Sequence, residues 1–272
     1  MVSICMITYN HENFISESID SILIQETTFP YQLIIGEDYS TDETRVICEE
    51  YALKYPNKIL LLPSEKNLGV IPNWIRTMKS CKGKYIALCE GDDYWTDPYK
   101  LQKQVDFLEA NPEYVLIGSR GDTLDQHTGI VYEDKHPYLD CEISRDRLFH
   151  GHHFFANSVM FKNFNFKFPN YFFKYYCGDW MLYFLISEYG KLYLSSDKNM
   201  IYRNHPNGIT KRINRVNMEI QEIRMLQEIN KYFRSKYLYH MFRACNYKAK
   251  RLYKNHFDDL TEEQLNIVKS CL

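Results

Sequence analysis

The chain has no surplus of positive charge: 33 Lys and Arg stand against 35 Asp and Glu, for a net charge of -2. That balance argues against nucleic acid as a partner, because phosphate backbones are held by a basic excess. Eight cysteines are present, yet no two have the CxxC spacing that zinc and dithiol redox sites use. They read as reduced thiols, with Cys5 and Cys89 inside apolar runs where free Cys acts as a small hydrophobe. No apolar stretch approaches the roughly 20 residues of a membrane-spanning helix. The opening MVSICMITYN enters a strand pattern without a basic leader region, so the expectation is a cytoplasmic location, at most at the inner face of the membrane through peripheral contact. No glycine-rich loop follows that first strand. Its place is taken by Thr-Tyr-Asn-His-Glu (8–12), which disfavours a GxGxxG dinucleotide-dependent oxidoreductase and a sugar nucleotidyltransferase with a basic, Gly-rich phosphate loop. Internal repeats and low-complexity tracts are also lacking.

What is present is an alternation of short β-like runs and amphipathic helical stretches, which predicts a mostly parallel central sheet flanked by helices. Strands are predicted at 2–8, 32–36, 59–62, 85–89 and 114–118, and helices at 13–25, 41–54, 72–80 and 98–109. Ser40 is the candidate N-cap of the second helix, and Pro98 suits a first helical turn. From 121 to 175 the pattern loosens into irregular strands, loops and a His150-Gly-His-His153 cluster, where an acceptor site is expected. That cluster lacks i, i+4 spacing and nearby carboxylates, so it reads as loop surface in preference to zinc. A helix at 178–189 and strands at 191–195 and 200–203 follow. Val216, Ile220, Ile223, Leu226, Ile229 and Phe233 then recur at helical spacing, with further helices near 235–254 and 261–270. The expected organisation is a domain over 1–212, with a nucleotide-binding half at 1–120 and an acceptor half at 121–212, followed by a helical extension at 213–272. Aromatics make up 15% of the chain and crowd between Tyr171 and Tyr189, as core or as a sugar-stacking wall.

Two acidic clusters fall where strands end and helices begin. In a doubly wound sheet, ligands lie outside the carboxyl ends of the strands. In Gly36-Glu-Asp-Tyr-Ser-Thr-Asp-Glu-Thr44, Asp38 is placed to accept a hydrogen bond from a nucleoside base; alternatively Asp38 and Asp42 charge and cap the next helix. In Cys89-Glu-Gly-Asp-Asp-Tyr-Trp95, three carboxylates within four residues repel one another. A hard cation, Mn²⁺ or Mg²⁺, bridging Asp92 or Asp93 to a diphosphate gives that crowding a purpose. The alternative is a solvated turn capping the helix at Pro98.

The ordered set VSICMITYN, GEDYSTDET, EKNLG, CKGKYIALCEGDDYW, CGDW and YRNHPNGI resembles family 2 glycosyltransferases of the GT-A fold, densely over 1–110 and more thinly over 150–210. The resemblance implies a Rossmann-like nucleotide-sugar half joined to an acceptor half, and inverting, metal-dependent transfer of a sugar. The donor is a nucleoside diphosphate sugar, most simply a UDP-sugar, and the acceptor a saccharide or lipid-linked saccharide of cell-surface polysaccharide assembly. It implies that Thr8, Tyr9 and Asn10 line the nucleoside pocket, that Asp38 takes the base, that Asn67 and Trp74 lie by the donor, and that Glu90, Asp92 and Asp93 form a DXD-like element, Glu90 on the ribose side. Asp92, Asp93 and His205 are the implied metal ligands, Arg203 the diphosphate contact, Asp179 the base that deprotonates the acceptor, and Trp180 a wall for sugar. The chain departs from the family's pattern at Glu90, where Asp is usual, at Tyr39, where Gly is usual, and at Trp74, near which relatives carry Arg. Competing readings are a catalytically inactive nucleotide-sugar-binding protein of the same fold and a nucleotidyltransferase. A homo-oligomer through the C-terminal helices stays open.

Overall fold

A computed structural model describes residues 1–135 and 140–272; residues 136–139, within the expected acceptor stretch, lie outside it. The chain forms two compact units that interleave in sequence. The first comprises Met1–Ile143, His153–Lys167 and Ile186–Asn204, the second Ser144–His152, Phe168–Leu185 and His205–Leu272. The sequence pattern alone suggests consecutive halves with a break near 212. Two internal segments instead join the C-terminal helices, because their apolar residues are buried within that unit.

The first unit is built on one sheet. Its strands are β1 (Val2–Thr8), β2 (Tyr31–Glu37), β3 (Ile59–Leu61), β4 (Tyr85–Leu88), β5 (Tyr94–Trp95), β6 (Tyr114–Asp125), β7 (Val131–Tyr132), β8 (Cys141–Ile143), β9 (Met160–Lys162) and β10 (Lys191–Asn204). The order is β3-β2-β1-β4-β9-β6-β10-β5, with β7 on β6 and β8 on β10. Pairing is parallel from β3 through β4 and again between β6 and β10, whereas β9 runs antiparallel to both its neighbours. Parallel strands need long crossovers. Here α1 (Ile15–Leu23), α2 (Thr44–Lys54) and α3 (Val70–Ser80) supply them, and α4 (Lys100–Ala110) leads from β5 to β6. Covered on both faces, β1 is a nearly continuous buried apolar run, as such strands are. Ile15, Ile19 and Ile22 of α1 pack with Met6, Leu33, Ala87 and Leu101 in the core.

Three local expectations are corrected. Ser40 does not cap α2, which starts at Thr44; the Asp42 carboxylate takes the Thr44 N–H at 3.0 Å, and Ser40 Oγ accepts the Asn10 N–H at 3.0 Å. The two short strands predicted at 191–195 and 200–203 are one strand, β10, with register shifts between Leu194 and Ile201 that interrupt the alternation. β6 continues to Asp125 because β10 and β7 pair with its polar end.

The second unit is helical: α5 (Arg145–Leu148), α6 (Gly178–Ile186), α7 (Ile209–Arg212), α8 (Arg215–Tyr232), α9 (Leu238–Asn255) and α10 (Glu262–Cys271). Val216, Ile220, Ile223, Leu226 and Ile229 of α8 are buried, so the periodicity marks a core face. Glu222, also buried, receives the Tyr176 hydroxyl at 2.7 Å, forms an ion pair with Lys248 and has His152 Nε2 at 3.8 Å. This cluster ties α8 and α9 to the turn before α6.

Candidate active site

The strand order places β1 and β4 side by side at the point where the winding reverses, and their carboxyl ends open the crevice in which such sheets bind ligands. Thr8 ends β1, and the Glu90–Asp93 turn follows β4. Gly91 fastens that turn to β1: its N–H donates to the Ile7 carbonyl at 2.9 Å, and its carbonyl accepts from Ser18 Oγ at 3.0 Å. A Cβ at Gly91 would stand 2.6 Å from Thr8 Oγ1, so only glycine lets the turn lie this close.

Within the turn the two aspartates separate in role. Asp93 is buried, and its Oδ1 accepts the Arg203 N–H at 2.7 Å. Burial first, then the charges of Asp92 and Glu90, push its carboxyl well above the ordinary range, with Arg203 opposing. The Asp92 carboxylate is 21% exposed and lies 3.7 Å from His11 Nε2, and His11 Nδ1 lies 3.2 Å from Thr8 Oγ1. Glu90 is half-buried on the same turn.

Arg203, near the end of β10, holds the turn from behind. Its Nε donates to the Asp92 carbonyl at 2.8 Å, its Nη2 pairs with Glu17 at 2.6 Å, and its guanidinium lies 4.8 Å from the Phe14 ring and 5.0 Å from the Tyr94 ring. The charge is thus matched by Glu17 and shielded by aromatic faces; only 4% of the residue is exposed.

On the other side of β1, Asp38 is buried and both its carboxylate oxygens accept backbone N–H groups, from Leu68 at 2.8 Å and Gly69 at 2.9 Å. Burial raises its affinity for the proton, against these two hydrogen bonds and the Arg76 charge. Asn67 Nδ2 donates to the Asp38 carbonyl at 2.9 Å, so the Asn67–Gly69 loop is clamped onto the end of β2. Asn10 and Tyr39 both adopt left-handed backbone, at φ 57° and 62°. Asn tolerates this; for Tyr39 it is strained. Asn10 Oδ1 accepts the Thr41 N–H at 2.8 Å, joining the loops after β1 and β2. Trp74 is buried on α3, where it offers little surface to a ligand. Arg76, two residues further, is spent on the Glu37 carbonyl at 2.8 Å and on Asn73 Oδ1 at 2.8 Å.

The first unit therefore gathers Thr8, Tyr9, Asn10, Asp38, Asn67, Glu90, Asp92, Asp93 and Arg203 around the carboxyl ends of its parallel strands. His11 and Glu17 belong to this set although neither stands out in the sequence; the signal for His11 is only its place three residues after the end of β1. In the second unit, Asp179 is half-buried in the first turn of α6, and His205 is buried directly after β10. Trp180 corrects the expectation of a sugar wall. It is fully buried, its Nε1 donates to the Leu148 carbonyl at 2.8 Å, and its ring lies 4.2 Å from that of His152, which makes it an interior residue. In the His150–His153 segment, His150 faces His240 at 3.5 Å and His152 faces Glu222, so those rings do not converge.

The chain is 35% identical over 218 residues to an uncharacterized protein of Mycobacterium tuberculosis, covering 76% of this chain and 60% of that one. The chain thus spans 60% of that relative's length. Over 92 residues it is 39% identical to the minor teichoic acid biosynthesis protein GgaB of Bacillus subtilis, covering 34% of this chain and 10% of that protein. Its fold matches that of Staphylococcus aureus TarS, residues 1–349, in complex with UDP-GlcNAc, with a TM-score of 0.71 at 16% identity, covering 100% of this chain and 79% of that one. It also matches the mannosyltransferase PcManGT of Pyrobaculum calidifontis in complex with GDP-Man and Mn²⁺, with a TM-score of 0.61 at 14% identity, covering 99% and 78%. The glycosyl transferase family 2 model matches residues 3–190, which takes in the whole acidic turn, the Asp38 loop and Asp179. With the strand order and the acidic turn at the β1/β4 crevice, this establishes that the chain belongs to glycosyl transferase family 2.

Proposed function

We propose that the protein transfers a sugar, with inversion, from a nucleoside diphosphate sugar to a saccharide or lipid-linked saccharide acceptor of cell-surface polysaccharide. The observation that carries this reading is the acidic turn at the β1/β4 crevice, with Asp93 buried against Arg203 and the Asp92 carboxylate turned toward His11. A UDP-sugar is the first donor to test, since TarS is in complex with UDP-GlcNAc; PcManGT, with GDP-Man, makes GDP the second.

The donor set fits Mn²⁺ or Mg²⁺: a partly exposed carboxylate with a neighbouring imidazole. Asp92 is the principal ligand, because one Asp93 oxygen is already engaged by the Arg203 N–H. Asp93 supports it from within, His11 is at hand, and His205, in the Tyr202-Arg-Asn-His205 run that resembles the family's closing element, is the third candidate. The bound cation would neutralise the diphosphate leaving group. Thr8, Tyr9 and Asn10 line the nucleoside side, while Asp38 and Asn67 hold the 67–69 loop that closes it. Glu90 faces the ribose, and Arg203 orients the acidic turn. Asp179 accepts the acceptor hydroxyl's proton as that oxygen attacks the anomeric carbon opposite the departing diphosphate, which inverts the centre.

The test is donor binding followed by turnover. UDP with Mn²⁺ raises the melting temperature of the wild type, and Asp92→Asn removes the metal-dependent part; no shift with UDP, GDP or dTDP sinks the reading. Asp179→Asn retains that shift and loses acceptor-dependent release of nucleotide. A protein that binds donor but shows neither hydrolysis nor transfer with a panel of saccharide acceptors is the inactive binder of the same fold.

A further inference from the structure

The second unit carries a surface that the transfer reaction does not use. Between Arg234 and His256 there are seven Lys and Arg and no Asp or Glu, in a chain whose net charge is -2. Two of these cations turn inward, Lys248 to Glu222 and Arg251 to Glu219. The other five, Arg234, Lys236, Arg243, Lys250 and Lys254, are exposed.

The periodicity of α9 sorts them. Ala244, Cys245, Ala249 and Leu252 form its buried face. At 100° per residue, Arg243, Lys250 and Lys254 fall on the opposite side, and Tyr239, Phe242 and Tyr253 form one stripe between these cations and the buried face. Tyr239 is 65% exposed, Phe242 49% and Tyr253 42%. Arg243 lies 5.6 Å from the Tyr239 ring, so cation and aromatic alternate on one surface. An aromatic stripe edged by Lys and Arg is the pattern of a helix lying in a membrane interface, its rings at headgroup depth and its cations on anionic headgroups.

We propose that this face of α9, with the basic turn before it, docks the protein on an anionic lipid surface. Charge decides the occupant. A second copy packed through the same patch by two-fold symmetry would set this basic face against itself. A nucleic acid would use the cations and leave three aromatic rings exposed on a helix that has no groove-shaped partner. An anionic bilayer satisfies both halves of the stripe at once. The inference extends the proposed use of a lipid-linked acceptor, but it is read without donor or acceptor.

The experiment is co-sedimentation of the full chain with vesicles of phosphatidylcholine alone and of phosphatidylcholine with an equal amount of phosphatidylglycerol. Binding is expected only to the anionic vesicles and is released by high salt. Near such a surface each Lys or Arg contributes about a factor of five, so R243Q/K250Q/K254Q binds roughly 100-fold more weakly. F242S/Y239S weakens binding at unchanged charge. The UDP-induced melting shift of both variants stays at the wild-type value, so loss of docking is distinguished from failure of the transferase reading. The proposal is overturned if the wild type ignores anionic vesicles, if it binds phosphatidylcholine equally, or if the triple variant binds as well as the wild type. It is equally overturned if F242S/Y239S instead converts a dimer to a monomer, or if a DNA duplex competes fully with the vesicles.

Discussion

Replacing Glu222 with Gln tests the energetic reading of the helical unit. Burial alone would raise the Glu222 carboxyl, but hydrogen bonds and charge from His152, Lys248 and Tyr176 outweigh it and bring the value to about 2, against an ordinary 4.5. At about 1.4 kcal/mol per unit, this difference is worth roughly 3 kcal/mol of folding stability. A folded value below the unfolded one means that the contribution is fully present above the unfolded value of 4.5 and is lost as pH falls toward 2. Gln keeps the shape and one acceptor, but leaves the Lys248 ammonium without its carboxylate in a mostly buried site, where unpairing is costly. Urea denaturation of the wild type and E222Q, followed by far-UV circular dichroism from pH 7 downward, should give a stability gap of about 3 kcal/mol at neutral pH that narrows steadily below pH 4.5. A gap equally wide at pH 3 would refute the assignment, since a shape or packing effect does not titrate.

Further outcomes follow from single residues. Gly91→Ala forces a Cβ to 2.6 Å from Thr8, so the turn must withdraw from β1; stability falls by about 1–3 kcal/mol, and the Mn²⁺-dependent UDP shift shrinks with it. Lys100 is buried, with Nζ 2.8 Å from Gln104 Oε1 and 4.5 Å from the Trp95 ring centre, and burial lowers its value from 10.5 to about 7. The unfolded chain then binds the extra proton between those values, so stability rises with pH across that window in the wild type; in Lys100→Met the rise disappears, as thermal melts at pH 7 and 10 will register. Tyr39→Gly removes a strained left-handed Tyr at the cost of a more flexible unfolded chain, so its melting temperature stays level or rises, whereas Gly at an ordinary loop site lowers it.

Much of the fold around this site is legible in the sequence. The parallel strands announce themselves because each is buried on both faces and so reads as an unbroken apolar run, β1 and β4 above all. The acidic turn is equally visible, since its three carboxylates fall within four residues at the end of an apolar run. Local pattern misled where long-range pairing took over. A bulged β10 looks like two strands because its register shifts break the alternation. Trp180 looks like a ligand wall because it adjoins Asp179, yet Leu148, distant in sequence, claims its N–H.

Sequence by itself determined the family, the sheet with its flanking helices, and the residue types that meet at the strand ends, because hydrophobic periodicity and motif order are local properties of the chain. The division of labour within the acidic turn was decided only in three dimensions. Asp92 and Asp93 are adjacent and chemically identical. What separates them is that a backbone N–H from β10, 110 positions away in the chain, engages one, while the other is left beside a histidine from the far end of β1. The same holds for Arg203, which sequence alone assigns to phosphate and which folding pairs with Glu17 of α1. Charges are listed in the chain, but their partners are set by which strands and helices pack together.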